Sequence, residues 1–84
     1  FYRYEFQVDQ PKDTFLNCRE LGKGVAFING FNLGRYWSEG PVQYLYIPAP
    51  LLREGNNQLI VFETEGKTAG ALWLEDCPVY VEYE

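Results

Sequence analysis

The dipeptide Asn29-Gly30 constrains the fold of this chain more than any other feature, because it separates two short apolar segments. Asn-Gly accepts the positive φ angles of tight hairpin turns better than almost any other pair, so the chain is expected to reverse here. Residues 25–28 are apolar at every position, which predicts a strand covered on both faces. In the return strand, at 33–37, Gly34 predicts a bulge or a close backbone approach. The sequence therefore predicts a β-hairpin over residues 24–37.

Alternation of apolar and polar residues, together with turn signals that bound short segments, predicts more strands on both sides of this hairpin. We expect them at residues 1–8, 14–18, 42–47, 59–64, 71–74 and 79–83. Residues 51–54, closed by Gly55, predict a single helical turn. No segment of about twelve residues has helical spacing, and turn signals recur about every ten residues, which is typical of a sandwich or barrel. We favour an all-β jelly-roll sandwich of about eight short antiparallel strands.

Length and composition predict one packed domain over residues 1–84. A chain of 84 residues buries only about two thirds of its unfolded surface. The apolar content of 46% excludes disorder, and no apolar run approaches the length of a membrane span, which argues against a membrane as partner. The chain begins at Phe1 without a signal segment, so we interpret it as part of a longer protein whose localisation is unknown.

Charge and cysteine content exclude further classes. The net charge is −5, and the seven basic residues are scattered, so no basic stripe exists for nucleic acid. Cys18 and Cys77 have neither the spacing of a metal site nor the density of a disulfide scaffold. We expect two ordinary thiols, and a bridge only if the first and last strands are neighbours.

Catalytic chemistry is largely missing from the sequence. Without histidine, imidazole bases and His-based triads are unavailable. Twelve acidic residues could supply a glycosidase carboxylate pair, but they lie on polar strand faces, in turns and, for Glu63 and Glu65, at a strand end, so we interpret them as solvated. Turn oxygens would suit calcium, but no acidic loop has recognisable spacing. We predict no catalytic residue, metal site or cofactor in this chain.

The return strand of the hairpin holds the most specific chemistry. Its carbohydrate-contact candidates are Asn32, Arg35, Tyr36 and Trp37. An aromatic ring offers a flat apolar surface to a sugar, while Arg and Asn hydrogen-bond its hydroxyls. In the alternative interpretation, Tyr36 and Trp37 pack in the core or against a neighbouring domain, and Arg35 pairs with a carboxylate such as Glu39. Short strands usually bury their aromatic residues, which favours the second interpretation, in which Tyr36 and Trp37 have a packing role.

A longer sequence pattern points to a family. Residues 23–37 are KGVAFINGFNLGRYW and residues 40–48 are GPVQYLYIP. With DTFL at 13–16, LLREGNN at 51–57 and IVFE at 60–63, they resemble the C-terminal β-domain of glycoside hydrolase family 35 β-galactosidases. The resemblance covers roughly residues 1–66, and the tail is similar but less specific.

The resemblance implies a galactose-binding-domain-like jelly roll beside a (β/α)8 barrel, whose two glutamates remove terminal β-linked galactose with retention. No segment here resembles the barrel, so no catalytic residue is carried over. We expect a non-catalytic domain whose partners are the barrel and the other β-domain of the same chain, with interdomain support and one wall of the substrate entrance as its roles. The alternatives are an independent galactoside-binding, lectin-like module and a dimerisation module.

Overall fold

A computed structural model describes residues 2–40, 42–66, 71–74 and 77–83, with the backbone alone at residue 71 and at 77–83. Eight strands form within these residues, together with one 3-10 turn. Their bounds are β1 (Tyr2–Val8), β2 (Thr14–Asn17), β3 (Lys23–Ile28), β4 (Phe31–Trp37), β5 (Tyr44–Ile47), β6 (Gly55–Glu63), β7 (Ala71–Leu74) and β8 (Cys77–Tyr83). All strand pairings are antiparallel. The predicted all-β sandwich of eight short strands is confirmed.

The strand order is β4-β3-β6-β1-β8-β7-β2-β5. Strands β4, β3, β6, β1 and β8 form a five-stranded sheet, and β7, β2 and β5 continue from β8 as a three-stranded sheet. The two ends of this order meet, because the Trp37 backbone N–H donates to the Val42 carbonyl oxygen at 2.7 Å. The sheets therefore close around one core.

The core is built from the inward residues of both sheets. In β1 these are Tyr2, Tyr4 and Phe6, as the alternation predicts, and Tyr4 is fully buried. The other apolar side chains that are fully or almost fully buried come from both sheets and from the β2–β3 connection: Leu16, Cys18, Leu21, Ala26, Ile28, Tyr36, Ile47, Leu59, Val61 and Leu72. The burial of such apolar side chains contributes most of the driving force for folding.

Two local predictions were wrong. Strand β3 is not covered on both faces, because Ala26 and Ile28 are buried while Val25 and Phe27 point outward and are only half-buried. The helical turn also lies earlier than expected, at Ala49–Leu51, and Gly55 instead begins β6 with φ +100°. Proline suits the first turn of a helix, since the N–H that it lacks has no intrahelical partner there, and Pro50 occupies that place.

The described residues contain neither a membrane-spanning helix nor a metal cluster. No helix within these residues is long and apolar enough to cross a bilayer. In the same part of the chain, no three acidic or cysteine side chains are grouped closely enough to hold a metal ion. Cys18 is buried as a free thiol, whereas the side chain of Cys77 lies outside the described residues.

Candidate functional site

The turn of the β3–β4 hairpin is held by its own asparagine. Asn29 has φ +49° and Gly30 has φ +84°, the left-handed conformations that Asn-Gly accepts. The Asn29 side chain reaches both the 3-10 turn and β6: its Nδ2 donates to the Leu51 carbonyl oxygen of the turn at 2.9 Å and to Oδ1 of Asn57 in β6 at 2.8 Å. Its Oδ1 accepts from the backbone N–H of Gln58 at 2.9 Å. The hairpin turn is therefore fixed by side-chain hydrogen bonds as well as by backbone geometry.

The other end of the hairpin is held by a buried phenol. The hydroxyl of Tyr36 donates to Oε1 of Glu63 at 2.6 Å, and the Tyr36 side chain is 1% exposed. Burial first, and then the hydrogen bond to Glu63, raise the pKa of the Tyr36 phenol well above its ordinary value. Gly24 lies beside this pair, and a Cβ atom there would collide with the Phe62 carbonyl oxygen and approach the Tyr36 hydroxyl to 2.7 Å. Only glycine fits at this position.

Glu63 departs from its predicted role as a solvated surface group. Its carboxylate accepts hydrogen bonds from the backbone N–H groups of Gly22, Lys23 and Glu65 at 3.1 to 3.3 Å, in addition to the Tyr36 hydroxyl. The carboxylate thus ties the β2–β3 connection and the end of β6 to the hairpin. Its position at the end of an alternating strand gave no sign of the partners Gly22, Lys23 and Tyr36, because these come from distant parts of the chain.

The four carbohydrate-contact candidates do not form one surface. Arg35 and Trp37 are exposed and share the outward side of β4, whereas Tyr36, between them, points into the core. Asn32 is exposed near the turn, where its Oδ1 accepts from the Gly34 N–H at 2.7 Å. The register of β3 and β4 shifts here, and Gly34 has φ +111°, which confirms the predicted bulge. The assignment of these four residues to sugar contact stays a prediction.

Trp37 is partly covered by its neighbours. It is 41% exposed, but Gly40 packs directly against its ring, so that a Cβ atom at residue 40 would collide with the indole. The Nζ atom of Lys23 lies 5.4 Å from the ring centroid, within range of a cation–π interaction. The predicted pairing of Arg35 with Glu39 is not among the ion pairs of the described residues.

A second group of exposed aromatic side chains lies on the outer face of the three-stranded sheet. It comprises Phe15, Tyr44, Tyr46 and Trp73. Phe15 faces Tyr46 across β2 and β5 with ring centroids 5.3 Å apart. The Tyr46 hydroxyl donates to Asp13 at 2.8 Å, and Asp13 also accepts from the Ala49 N–H at 2.8 Å. The Ala49 N–H and then the Tyr46 hydroxyl lower the pKa of the Asp13 carboxyl.

Trp73 of this aromatic face borders an open cleft of about 410 Å³, which we call the Trp73 cleft. Its described lining residues are Asn17, Arg19, Glu20 and Trp73. None of these four residues was predicted from the sequence as a site residue, although the predicted strand at 71–74 implies that Trp73 points to the opposite face from Leu72 and Leu74. The other three lie at the end of β2 and in the turn that follows it, far from Trp73 in sequence.

Comparisons with known proteins bear on the whole chain. Residues 1–57 match the family described as β-galactosidase, galactose-binding domain. The chain belongs to this family. The match confirms the resemblance that the hairpin sequence suggested, and it covers the whole hairpin and, among the described lining residues of the Trp73 cleft, Asn17, Arg19 and Glu20.

Relatives of this chain carry the names β-galactosidase or β-galactosidase-1-like protein. It is similar to β-galactosidase 17 of Arabidopsis thaliana, at 59% identity over 58 residues, which cover 68% of this chain and 8% of that protein. Human β-galactosidase-1-like protein 2 is 53% identical over 68 residues, covering 81% of this chain and 10% of that protein. A canine β-galactosidase is 38% identical over an alignment of 86 residues, covering 94% of this chain and 13% of that protein. The chain therefore spans about a tenth of the length of these relatives.

Proposed function

We propose that this galactose-binding domain is a non-catalytic part of a β-galactosidase and supports the domain that hydrolyses terminal β-linked galactose. Membership of the family and the small share of each relative that the domain covers support this proposal. We also propose that the domain forms one wall of the substrate entrance and that the hairpin is the rigid element of this wall.

The observation that carries the proposal is the apolar outer face of the five-stranded sheet. Val25 and Phe27 of β3 lie beside Ile60 and Phe62 of β6 on this face. Phe27 and Phe62 pack edge to face, with ring centroids 5.9 Å apart, and Phe62 is exposed. Large contiguous apolar patches are uncommon on monomeric proteins and often mark surfaces that another unit covers. A neighbouring domain of the same protein is the partner that we propose for this face.

Turnover tests the non-catalytic role. We expect the 84-residue chain, checked for folding by circular dichroism, to leave a chromogenic β-galactoside unhydrolysed. Hydrolysis by the purified chain at a rate that scales with its concentration would overturn the proposal.

The supporting role can be tested by the thermal stability of a longer protein that contains this domain. In a β-galactosidase that carries this domain, Phe62→Ser should lower the melting temperature by several degrees, because it places a hydroxyl in an apolar interface. The control Phe31→Ser changes an exposed aromatic residue at the start of β4 and should have little effect. Equal effects of the two variants would contradict the proposed interface.

The second candidate function is independent galactoside binding by the hairpin, through the exposed side chains of Asn32, Arg35 and Trp37, with the buried Tyr36 supporting them from the core. The exposure of Arg35 and Trp37 on one side of β4 favours it. A saturable change in tryptophan fluorescence with galactose or lactose, lost in Trp37→Ala, would support this candidate. Self-association of the chain in analytical ultracentrifugation would instead favour the dimerisation module.

A further inference from the structure

The Trp73 cleft joins three strands of the smaller sheet around one amide side chain. Asn17 ends the central strand β2, and its backbone pairs with Trp73 of β7 on one side and with Tyr44 of β5 on the other. Side chains directly opposite on neighbouring antiparallel strands have Cβ atoms about 5 Å apart and project to the same face. The Asn17 amide therefore lies between two exposed aromatic residues.

The polar residues of the cleft are held in a fixed turn. Arg19 and Glu20 are the central residues of a β-turn, which the Leu21 N–H closes by donating to the Cys18 carbonyl oxygen at 3.1 Å. The Asn17 Oδ1 accepts from the Arg19 N–H at 3.0 Å, and this bond fixes the turn relative to β2. The Cys18 N–H donates to the Gln43 carbonyl oxygen at 2.9 Å. The backbone that presents the guanidinium and the carboxylate is thus ordered without a ligand.

The donors and acceptors of the cleft remain available. Within the described residues, the Arg19 guanidinium and the Glu20 carboxylate form no ion pair, and the Asn17 Nδ2 donates no hydrogen bond. Trp73 is 43% exposed and has no ring partner in that part of the chain. The cleft therefore combines a free aromatic ring with groups that can both donate and accept hydrogen bonds.

These groups define the chemistry of a ligand. The formal charges of Arg19 and Glu20 cancel, which favours a neutral ligand over an anion or a cation. A volume of about 410 Å³ lies within the range of small-molecule sites, and an exposed indole suits a ligand with a flat apolar face. A pyranose ring meets these requirements, because its C–H groups can stack on an aromatic ring while vicinal hydroxyls hydrogen-bond to Arg, Glu and Asn.

We propose that the Trp73 cleft is a carbohydrate-binding site for a neutral hexopyranose at the end of a glycan. Trp73 stacks on the sugar ring, and Arg19, Glu20 and Asn17 hydrogen-bond its hydroxyls. Phe15 and Tyr46 continue the aromatic face beyond Tyr44 and offer contacts to a second sugar unit. This site is separate from the hairpin residues considered above, and it does not depend on the supporting role of the five-stranded sheet.

Trp73 suits this role better than Trp37, the other tryptophan of the chain. The two are similarly exposed, but Gly40 packs against the Trp37 ring and the Lys23 ammonium lies over it. A sugar would have to displace these neighbours before it could stack there.

The test is a titration of the ¹⁵N-labelled 84-residue chain with methyl β-D-galactopyranoside and with lactose, followed by NMR. We expect saturable shifts in the millimolar range at the amides of Asn17, Arg19 and Glu20 and at the Trp73 indole. Galacturonate, which is anionic, should bind more weakly than the neutral sugars.

Variants locate the binding. Trp73→Ala should weaken binding about tenfold or more, because the stacking surface is lost, whereas Trp73→Phe should retain part of the affinity. Arg19→Ala changes an exposed turn side chain and should weaken binding without loss of the fold, which keeps the test decisive if Trp73→Ala is unstable. Phe31→Ala serves as the matched control at an exposed aromatic residue outside the cleft and should bind as the unsubstituted chain does.

Two outcomes would overturn the proposal. One is the absence of saturable shifts with any of these sugars at concentrations of tens of millimolar. The other is binding that Trp37→Ala abolishes and that Trp73→Ala and Arg19→Ala leave intact, which would place the sugar on the hairpin. Neither outcome would affect the turnover and melting tests of the supporting role.

Discussion

At the residue scale, the buried amide of Asn57 is the most heavily hydrogen-bonded side chain that holds the hairpin turn. Asn57 is fully buried, and its Oδ1 accepts from Nδ2 of Asn29 and from the Arg53 N–H, both at 2.8 Å. Its Nδ2 donates to the carbonyl oxygens of Arg53 and Gly55. One fully buried side chain therefore forms hydrogen bonds with four polar groups of its neighbours.

Replacement of Asn57 tests how much this arrangement stabilises the fold. Asn57→Ala leaves buried donors and acceptors unpaired and should lower the free energy of unfolding by about 3 kcal/mol, measured by urea denaturation. The matched control is Asn56→Ala, because Asn56 is exposed and forms a 3.3 Å hydrogen bond with Gln7. We expect a change of about 0.5 kcal/mol or less there. Similar losses in the two variants would show that the buried amide is not important for stability.

The Tyr36 hydroxyl offers a second comparison at this scale. Tyr36→Phe removes a hydrogen bond to an ionised carboxylate and leaves Glu63 with fewer donors, so the free energy of unfolding should fall by about 2 kcal/mol. Tyr44→Phe removes an exposed hydroxyl that has no hydrogen-bond partner among the described residues and should be nearly neutral. Equal denaturation midpoints for both variants would contradict the role given to the Glu63 contact.

At the scale of elements, two glycines of the hairpin differ in what they require. Gly30 has φ +84°, and no atom lies within 4 Å of the place that a Cβ atom would take. Gly30→Ala therefore introduces backbone strain but no collision, and it should lower the free energy of unfolding by about 1 to 2 kcal/mol. Gly24→Ala drives a methyl group into the Phe62 backbone and should cost more than about 3 kcal/mol or prevent folding. Thermal melts followed by circular dichroism compare the two. A milder effect at Gly24 than at Gly30 would contradict the close approach of β3 and β6.

Sequence patterns predict these elements well where one signal dominates. Alternation, apolar runs and turn signals together located the eight strands to within a few residues, and Asn-Gly located the hairpin turn. The apolar run at residues 25–28 led to the wrong prediction that β3 is covered on both faces. Hydrophobicity alone does not show which other unit covers the outer side of β3. The helical turn was displaced because the glycine signal at Gly55 outweighed the preference of proline for a first helical turn.

At the scale of the whole molecule, the outer aromatic face of the three-stranded sheet shows why local sequence patterns could not predict the candidate site. Trp73, Asn17 and Tyr44 are far apart in sequence, and only the order β7-β2-β5 makes them neighbours. The hairpin, by contrast, is contiguous, so its sequence was enough to indicate the family. A site assembled from three strands requires the topology before its residues can be recognised as a group.

The whole fold should also respond to alkaline pH through its buried thiol. Burial, and then the negative charge of Glu63, raise the pKa of the Cys18 thiol to about 12. In the unfolded chain a cysteine ionises with a pKa of about 8.5, so the unfolded state releases a proton that the folded state retains. The stability contributed by the neutral thiol is thus complete below about pH 8.5 and is lost as the pH rises toward the folded pKa.

This linkage predicts the slope of stability with pH for the folded chain. Both proteins are kept reduced throughout. Between about pH 9 and 10, the free energy of unfolding of the unsubstituted chain should fall by about 1 kcal/mol more than that of Cys18→Ala, which lacks the titrating thiol. The variant starts from a lower stability because it leaves a cavity, so the slopes and not the absolute values are compared. Parallel slopes would mean that Cys18 ionises as readily in the folded protein as in the unfolded one, which its complete burial argues against. The tyrosines, whose pKa in an unfolded chain is about 10, would then account for any remaining loss of stability at alkaline pH.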